Sequence, residues 1–449
     1  MVSPDTTLPE NLSDWMSTQR WYGAKGTSPL LERIGGWEID SDDVVVSTHY
    51  LLDHTDGRAA LYQVPLTTRS TPLAGVEPIA AIDGRFTYDA PSDPVYAATL
   101  LRMILGEGVS GDAAGHRQPG AERVEVVSAA VLSGEQSNTS IICQVSSGPP
   151  VIVKVFRALH NGENPDVTLQ SAIAAAGSDL VPRSLGHLSG AWTDSGRADG
   201  RAAGHLAFAQ EFLPGVEDAW RVALRAAEAG DDFTEGAYAL GVATADVHAI
   251  LADVMPTRKT EPGDIDAILV SMLGRSELAI QEVPSLDALR PAIARVIEAA
   301  RVAPWPILQR IHGDYHLGQV LAVPGRGWVL LDFEGEPLRP MHERSQLDVG
   351  LRDVAGMLRS FDYAAGSVIL RGGGDAASQW ATAARNAFLD GYVARSSVDV
   401  RENTALLDAF EMDKALYEAV YEARNRPGWL EIPAAAIRRL AGKGDPGAQ

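Results

Sequence analysis

The chain has 449 residues, of which 45% are hydrophobic and 22% charged, and it carries a net charge of −21. That is the make-up of a globular protein large enough for two or three subdomains with sizeable cores. The negative charge argues against binding the phosphate backbone of nucleic acid or an anionic lipid surface. An anionic nucleotide would have to be drawn in by local positive charge and a divalent cation.

Cys143 is the only cysteine, which excludes a disulfide within the chain and fits a reducing cytosol. It lies in an apolar β-like run and reads as a buried structural thiol. The opening MVSPDTTLPENLSDW has neither the basic nor the apolar region of a signal peptide. No apolar run is expected to reach the roughly 20 residues of a membrane span, so a soluble, cytoplasmic protein is expected.

Residues 1–90 read as a first subdomain. A short amphipathic helix, LPENLSDWMST, leads into QRWYGAKG. The alternating segments GWEIDSDDVVVSTHYLL and GRAALYQVPL predict antiparallel strands. Trp21 and Tyr22, followed by Gly23 and Lys25, are either core aromatics beside a solvated lysine or the face of a cap against a neighbouring lobe.

Residues 91–215 read as a second subdomain that binds nucleotide. SDPVYAATLLRMIL predicts a helix, and the Gly-rich GEGVSGDAAGHRQPG after it predicts a linker. AERVEVVSAAVL, IICQV and PVIVKVF predict strands. Between the first two lies SGEQSNTS, residues 133–140. Ser133, Gln136, Ser137, Asn138 and Thr139 there could cover a triphosphate with hydroxyls, amides and backbone N–H groups; a plain polar hairpin turn has the same composition. Lys154 lies in a strand that is otherwise apolar on both faces, so its ammonium needs an anionic partner. Phosphates would supply one. NPDVTLQSAIAAAG predicts a helix that starts near Asn164 with Pro165 in its first turn. Asp166, or Glu163 just before it, is the acid available to Lys154. HLAFAQEFLPG predicts a strand ending at a Pro-Gly turn, where backbone groups of Glu211, Phe212 and Leu213 could read an adenine edge.

Residues 216–449 read as a helical subdomain interrupted by RIHGDYHLGQVL (310–321) and VLLDFEGEP (329–337). Asp314 is followed five residues later by Gln319, and Asp332 opens D-F-x-G. Protein kinases show the same spacing as H-R-D-x-x-x-x-N followed by D-F-G. In that pattern Asp314 accepts the proton of an attacking hydroxyl, while Gln319 and Asp332 hold Mg²⁺. QVLAVPGRGWVLL predicts a hairpin around P-G-R-G that returns Asp332 to Gln319. His312 and His316 flank Asp314 but lack the further ligands of a zinc site. His316 is expected near the sugar or phosphate. On the last long helix Lys414, Tyr417 and Tyr421 share one face, a polar-aromatic surface suited to a sugar.

These segments resemble the bacterial maltokinases, relatives of the aminoglycoside phosphotransferases. The resemblance rests on SGEQSNTS with VIVKVF, HGDYHLGQVL, LDFEGEP, LRDVAGMLRSFDYA and DKALYEAVYEARNRPGWLEIP. DWMSTQRWYGAKG is similar to the maltokinase N-terminal cap. The resemblance implies an α+β, bilobal protein-kinase-like fold with its N-lobe split into cap and intermediate subdomains. It implies phosphorylation of maltose at the anomeric hydroxyl by ATP with Mg²⁺, giving maltose 1-phosphate for α-glucan synthesis alongside enzymes of the trehalose and α-glucan pathway. It assigns Asp314 as base; Gln319 and Asp332, with Glu334 nearby, to Mg²⁺; and Lys154 and residues 133–140 to the phosphates. It assigns His316, Lys414, Tyr417, Tyr421 and Glu422 to the sugar pocket. One departure stands out. Glutamate is usual where this chain has Thr168, so the ion pair of Lys154 is either absent or supplied by Asp166. A kinase for another sugar, glucosamine in particular, is the nearest alternative, with Glu418 or Glu422 facing the amino group. A catalytically idle nucleotide- or glucan-binding protein is a third, against which the joint presence of Asp314, Gln319, Asp332 and Lys154 argues.

Overall fold

Two antiparallel sheets and three helices account for most of the N-terminal half of the molecule. The structure is a computed structural model and describes residues 8–55, 57, 59–132, 137–336, 339, 341–396, 399–402 and 404–443. The chain forms two compact units, Met1–Ala175 with Pro182–Pro214, and Ala176–Val181 with Gly215–Gln449.

The first unit opens with α1 (Leu12–Thr18) and the strands β1 (Leu31–Ser41), β2 (Val44–Asp53), β3 (Ala60–Arg69), β4 (Ala80–Ile82) and β5 (Arg85–Asp89). They form a five-stranded sheet in the order β1-β2-β3-β5-β4. Next come α2 (Pro94–Gly106), β6 (Val109–Ser110), β7 (Ala113–Arg117), β8 (Val126–Val131), β9 (Asn138–Val145), β10 (Val151–Phe156), α3 (Pro165–Ala175), β11 (Ser184–Thr193) and β12 (Arg201–Glu211). The second sheet has seven strands in the order β6-β7-β11-β12-β10-β9-β8.

The two sheets and α2 share one core. Trp37 and Tyr50 from the first sheet, Tyr96 and Leu100 from α2, and Val153, Val155, Leu188 and Leu206 from the second are all buried in it. Each such side chain contributes about 1.5–3 kcal/mol. Polar contacts add direction. Gln63 Nε2 donates to the carbonyls of Phe156 and Leu206 at 2.8 and 2.9 Å. Trp21 of the WYG motif lies 4.9 Å from the guanidinium of the buried Arg157, which pairs with Asp89 at 2.7 Å. Trp21 also packs on Trp15 of α1 and Tyr62 of β3, and Lys25 donates to the Gln19 carbonyl.

The stretch expected as a linker after α2 is instead β6 and β7, with His116 of β7 paired to His187 of β11. Its small residues hid it. A Cβ on Gly115 would lie 2.0 Å from the Met103 carbonyl oxygen, so the strand can pack on α2 only without a side chain there.

The second unit holds β13 (Glu217–Asp218), α4 (Ala219–Ala229), α5 (Thr234–Val254), α6 (Pro262–Glu282), α7 (Arg290–Ala299), β14 (Val320–Val323), β15 (Gly327–Leu330), α8 (Met341–Arg344), α9 (Leu351–Leu370), α10 (Asp375–Arg395), α11 (Thr404–Asn425) and α12 (Glu431–Lys443). Phe233, Phe361, Trp380 and Phe388 meet edge to face and stacked in its core. α5 is long and apolar enough to cross a membrane by length and composition, which differs from the expectation that no run reaches that length. Its apolarity comes from alanine, valine, leucine and isoleucine, and its Leu240, Ala243, Val247 and Leu251 are buried in this unit. α5 meets α10 at backbone distance. A Cβ on Gly241 would lie 2.0 Å from the Phe388 carbonyl oxygen, and one on Gly391 would lie 2.0 Å from that of Tyr238.

Candidate active site

In the first unit the residues read as nucleotide contacts gather around β10. Lys154, largely buried, donates from Nζ to Asp166 Oδ2 at 3.0 Å. The acid is thus in the first turn of α3, and Thr168 in the second turn bonds back to its own helix carbonyls. Ser140 pairs with Lys154 across the ladder, Thr139 with Val155 and Asn138 with Phe156. Asn138 and Thr139 therefore begin β9 and do not lie in the turn. The alternation of the strand runs two residues further back than the small polar residues suggested. The Thr139 hydroxyl accepts from Arg157 Nε at 2.8 Å, so it is engaged with the protein. Ser137 is exposed, and Ser133 and Gln136 lie outside the described residues.

The proposed adenine-reading segment is narrowed as well. Glu211 N–H donates to the Arg183 carbonyl at 2.9 Å and Phe212 N–H to that of Pro150 at 2.8 Å. Sheet closure claims both donors. Of the three N–H groups, that of Leu213 is left for an adenine edge, together with the segment's carbonyls.

In the second unit β14 and β15 form the expected hairpin, with Val323 opposite Gly327. Gly325 and Gly327 adopt φ of +75° and +86°, which the tight turn requires. The hairpin delivers Asp332 to Gln319, whose Nε2 donates to Asp332 Oδ2 at 3.0 Å. This leaves the Gln319 amide oxygen as a donor atom for a cation. Asp332 and Glu334 have carboxylate oxygens within 4.8 Å of each other. Asp332 also adopts φ +63°, a left-handed conformation that costs a non-glycine residue about 1–2 kcal/mol. A strained aspartate beside a second carboxylate and an amide oxygen is a set of hard oxygen donors of the kind Mg²⁺ takes.

Asp314 sits on the loop before that hairpin. Lys414 on α11 donates to Asp314 Oδ1 at 3.0 Å and to Glu336 Oε1 at 2.7 Å. Burial works against the charge on Lys414, but Glu336 and Asp314 outweigh it and raise its pKa. Burial likewise opposes the charge on Glu336, yet Lys414 and Arg339 hold its carboxyl down at about 2. A carboxylate with a depressed native pKa stabilises the fold above its ordinary value of 4.5 and loses that contribution as pH falls toward 2. Chemical unfolding in that window is expected to lose on the order of 3 kcal/mol through this group, and Glu336→Gln should flatten that part of the stability-against-pH curve. An unchanged acid slope would show that the pair is not formed.

His316 accepts from Gly318 N–H through Nδ1 at 3.0 Å. Burial lowers its pKa, and Lys414 lowers it further. A cavity of about 400 Å³ opens between this loop and α11, lined by Asp314, His316, Lys414, Tyr417, Glu418, Tyr421 and Glu422, with Tyr363 and Trp429 stacked at 6.4 Å on its wall. Glu418 accepts from Arg359 at 2.8–2.9 Å. Glu422 accepts from Tyr363 at 3.1 Å and from Arg426 at 2.6 and 3.0 Å. Each carboxylate in the cavity therefore faces a cation: Asp314 has Lys414, Glu418 has Arg359 and Glu422 has Arg426.

Two residues that sequence reasoning passed over support Asp314. Asp353, 1% exposed, accepts from His312 N–H at 2.8 Å, Gly313 N–H at 2.9 Å and His248 Nε2 at 3.0 Å. Burial opposes its charge, but the bond from His248 keeps its pKa low. Glu336 is the second. The signal for Asp353 was a carboxylate in LRDVAG, on the buried face of an apolar helix, where an unpaired charge would be prohibitive.

Residues 128–397 match the model of the phosphotransferase enzyme family, and residues 15–93 that of the maltokinase N-terminal cap domain. A glucosamine kinase of Streptacidiphilus jiangxiensis is 30% identical over 366 residues, 77% of this chain and 80% of that one. A glucosamine kinase of Mycolicibacterium smegmatis (strain ATCC 700084 / mc(2)155) is 26% identical over 404 residues, covering 84% and 96%. A solved glucosamine kinase in complex with glucosamine, ADP and inorganic phosphate superposes with a TM-score of 0.69 at 22% identity, over 96% of this chain and all of that one. The fold is thus mixed α+β and kinase-like, sheet-rich in its N-terminal part and helical in its C-terminal part. The chain belongs to the phosphotransferase enzyme family and carries a maltokinase-type cap in front of it.

Proposed function

We propose that this protein is a sugar kinase that uses ATP with Mg²⁺ to phosphorylate maltose at its anomeric hydroxyl. In this reading residues 1–90 are the cap, 91–215 bind nucleotide, and 216–449 carry the catalytic loop and the sugar site. A cytoplasmic setting suits a chain whose one thiol, Cys143, is reduced and buried. The maltose 1-phosphate formed would feed a glucan-building transferase, with which the protein could associate.

Asp314 is the base. Its Oδ1 is held by Lys414, so Oδ2 is the atom left for the sugar hydroxyl; it takes the proton as that hydroxyl oxygen bonds to the γ-phosphorus and the bond from the γ-phosphorus to the bridging oxygen breaks, releasing ADP. Gln319, Asp332 and Glu334 fit a magnesium ion, which when bound would neutralise phosphate charge. Lys154, set by Asp166, would bind phosphate oxygens. His316, Lys414, Tyr417, Tyr421 and Glu422 orient the sugar. Catalysis here is mainly positioning and charge, since phosphoryl transfer asks little covalent help.

The carrying observation is the charge balance of the cavity. An ammonium group on the sugar would seek a carboxylate whose charge is not already balanced, and Glu418, through Oε2, and Glu422, through both oxygens, already face Arg359 and Arg426. A neutral sugar needs none, and it gains from the stacked Tyr363 and Trp429 and from Tyr417 and Tyr421. The relatives' names favour glucosamine as the second reading. A coupled assay with maltose, glucose and glucosamine separates the two. Maltose should exceed glucosamine in kcat/KM by ~100-fold, with phosphorus NMR showing an anomeric phosphate. A preference for glucosamine would overturn the maltose assignment and leave the kinase.

A further inference from the structure

The acid that meets Lys154 sits in the first turn of α3, the part of a helix whose N–H groups have no intrahelical partner and which frays first. Asp166 can hold the lysine accurately only if that turn is fastened from outside. Asn164, just before the helix, does the fastening on one side. Its Oδ1 accepts from Asp166 N–H at 2.9 Å, and its carbonyl accepts from Val167 and Thr168 N–H, both at 3.1 Å. Gln170, one turn on, bonds the other carboxylate oxygen of Asp166.

Asn164 is itself anchored to the sheet. Its backbone N–H donates to His205 Nδ1 at 2.9 Å. His205 projects from β12, with the ring of His187 edge-on to it at 4.6 Å and His116 stacked on His187 at 4.7 Å. A backbone N–H can only donate, so Nδ1 must be bare and the ring proton must sit on Nε2. Burial, with His116 nearby, holds the His205 pKa down at about 4, so the ring stays neutral at ordinary pH. Hydrogen bonds of 2.9 to 3.0 Å thus run without a gap from His205 to Asn164, to Asp166, to Lys154.

We propose that His205 is a positioning residue for the nucleotide: by accepting the Asn164 N–H it fixes the first turn of α3 and so the place of Lys154. This rests on the reading of Lys154 as a phosphate contact. It explains how the chain manages with Thr168 in the second turn. An acid moved to the helix end works when the end is tied to the sheet.

Two substitutions separate this role from mere packing. In His205→Asn the amide oxygen can stand where Nδ1 stood; in His205→Leu nothing accepts. Both remove the edge-on ring contact with His187. His205→Leu should raise the KM for ATP by ~10-fold and leave the KM for the sugar within ~2-fold, while His205→Asn should return the ATP value to within ~3-fold of the parent. Equal impairment of both variants would assign His205 to its edge-on ring contact with His187, and no change in either would remove it from nucleotide binding; each result overturns the proposal. Should the leucine variant fail to fold, long-range proton–nitrogen spectra of the parent protein read the tautomer directly. A protonated Nε2 with bare Nδ1 supports the chain of bonds, and the reverse breaks it. A parent protein that fails to bind ATP at all would sink the nucleotide reading, while the spectra would still judge the bond.

Discussion

Asp314→Asn is expected to lower kcat by at least ~1,000-fold while KM for ATP and sugar stay within a few-fold. In the proposed role of Asp314 the step removed is proton acceptance, for which a positioned base contributes roughly 10²–10⁴. The asparagine keeps the shape and can still accept from Lys414 through its oxygen, and Lys414 keeps its second partner, Glu336. The fold and the cavity should therefore survive. Steady-state kinetics with a thermal-unfolding control tests this. Retention of more than a tenth of the activity would mean that another group accepts the proton, and the role of the whole 312–319 loop would need revision.

The second large effect is expected at Asp353, which is not among the residues that line the cavity. Its carboxylate gathers two backbone N–H groups and an imidazole inside the protein. Asp353→Asn keeps the size but turns one acceptor into a donor facing donors. Breaking a buried charged cluster of this kind costs roughly 3 kcal/mol. The two N–H groups released belong to His312 and Gly313, next to Asp314, so the loop loosens as well. A drop of ~10–100-fold in kcat is expected, since misplacements of about 1 Å carry such penalties. Urea unfolding and kinetics on the same sample check both parts. A variant with parental stability would show that the cluster is not closed in solution, and one with lost stability but parental kcat would show that the loop is held by other contacts.

How much of this could be read from the sequence differs from place to place. The hairpin carrying Asp332 back to Gln319 was legible because turn chemistry, strand alternation and motif spacing agreed within some twenty residues. That Lys414, Tyr417 and Tyr421 share one face of α11 was legible because they obey helical spacing, and all three line the cavity. The pairing of Lys414 with Asp314 and Glu336 was not, since it joins residues 100 and 78 positions apart. β7 was hidden by its alanines and glycine, residues chosen for close approach to α2 and not for strand propensity. The backbone donors of Glu211 and Phe212 were assigned to a ligand because sequence does not show which carbonyls will claim them. Asp353 had a signal, a carboxylate on the buried face of an apolar helix, but its partners lie on two separate segments, α5 and the loop at 312–313.

The glycine pair where α5 crosses α10 has a wider implication. With Gly241 against Phe388 and Gly391 against Tyr238 there is no side chain to yield, so neither helix can slide or roll without a collision of main chains. His248 and Tyr392, bonded to each other at 3.0 Å across this crossing, inherit its stiffness and pass it to Asp353. The cavity-lining residues of α11, to which the proposed function gives the sugar, stand apart from that crossing. Such an arrangement allows divergence in what is recognised without retuning how the reaction is performed. A descendant could change its acceptor by altering side chains along one helix while inheriting its proton-transfer machinery intact.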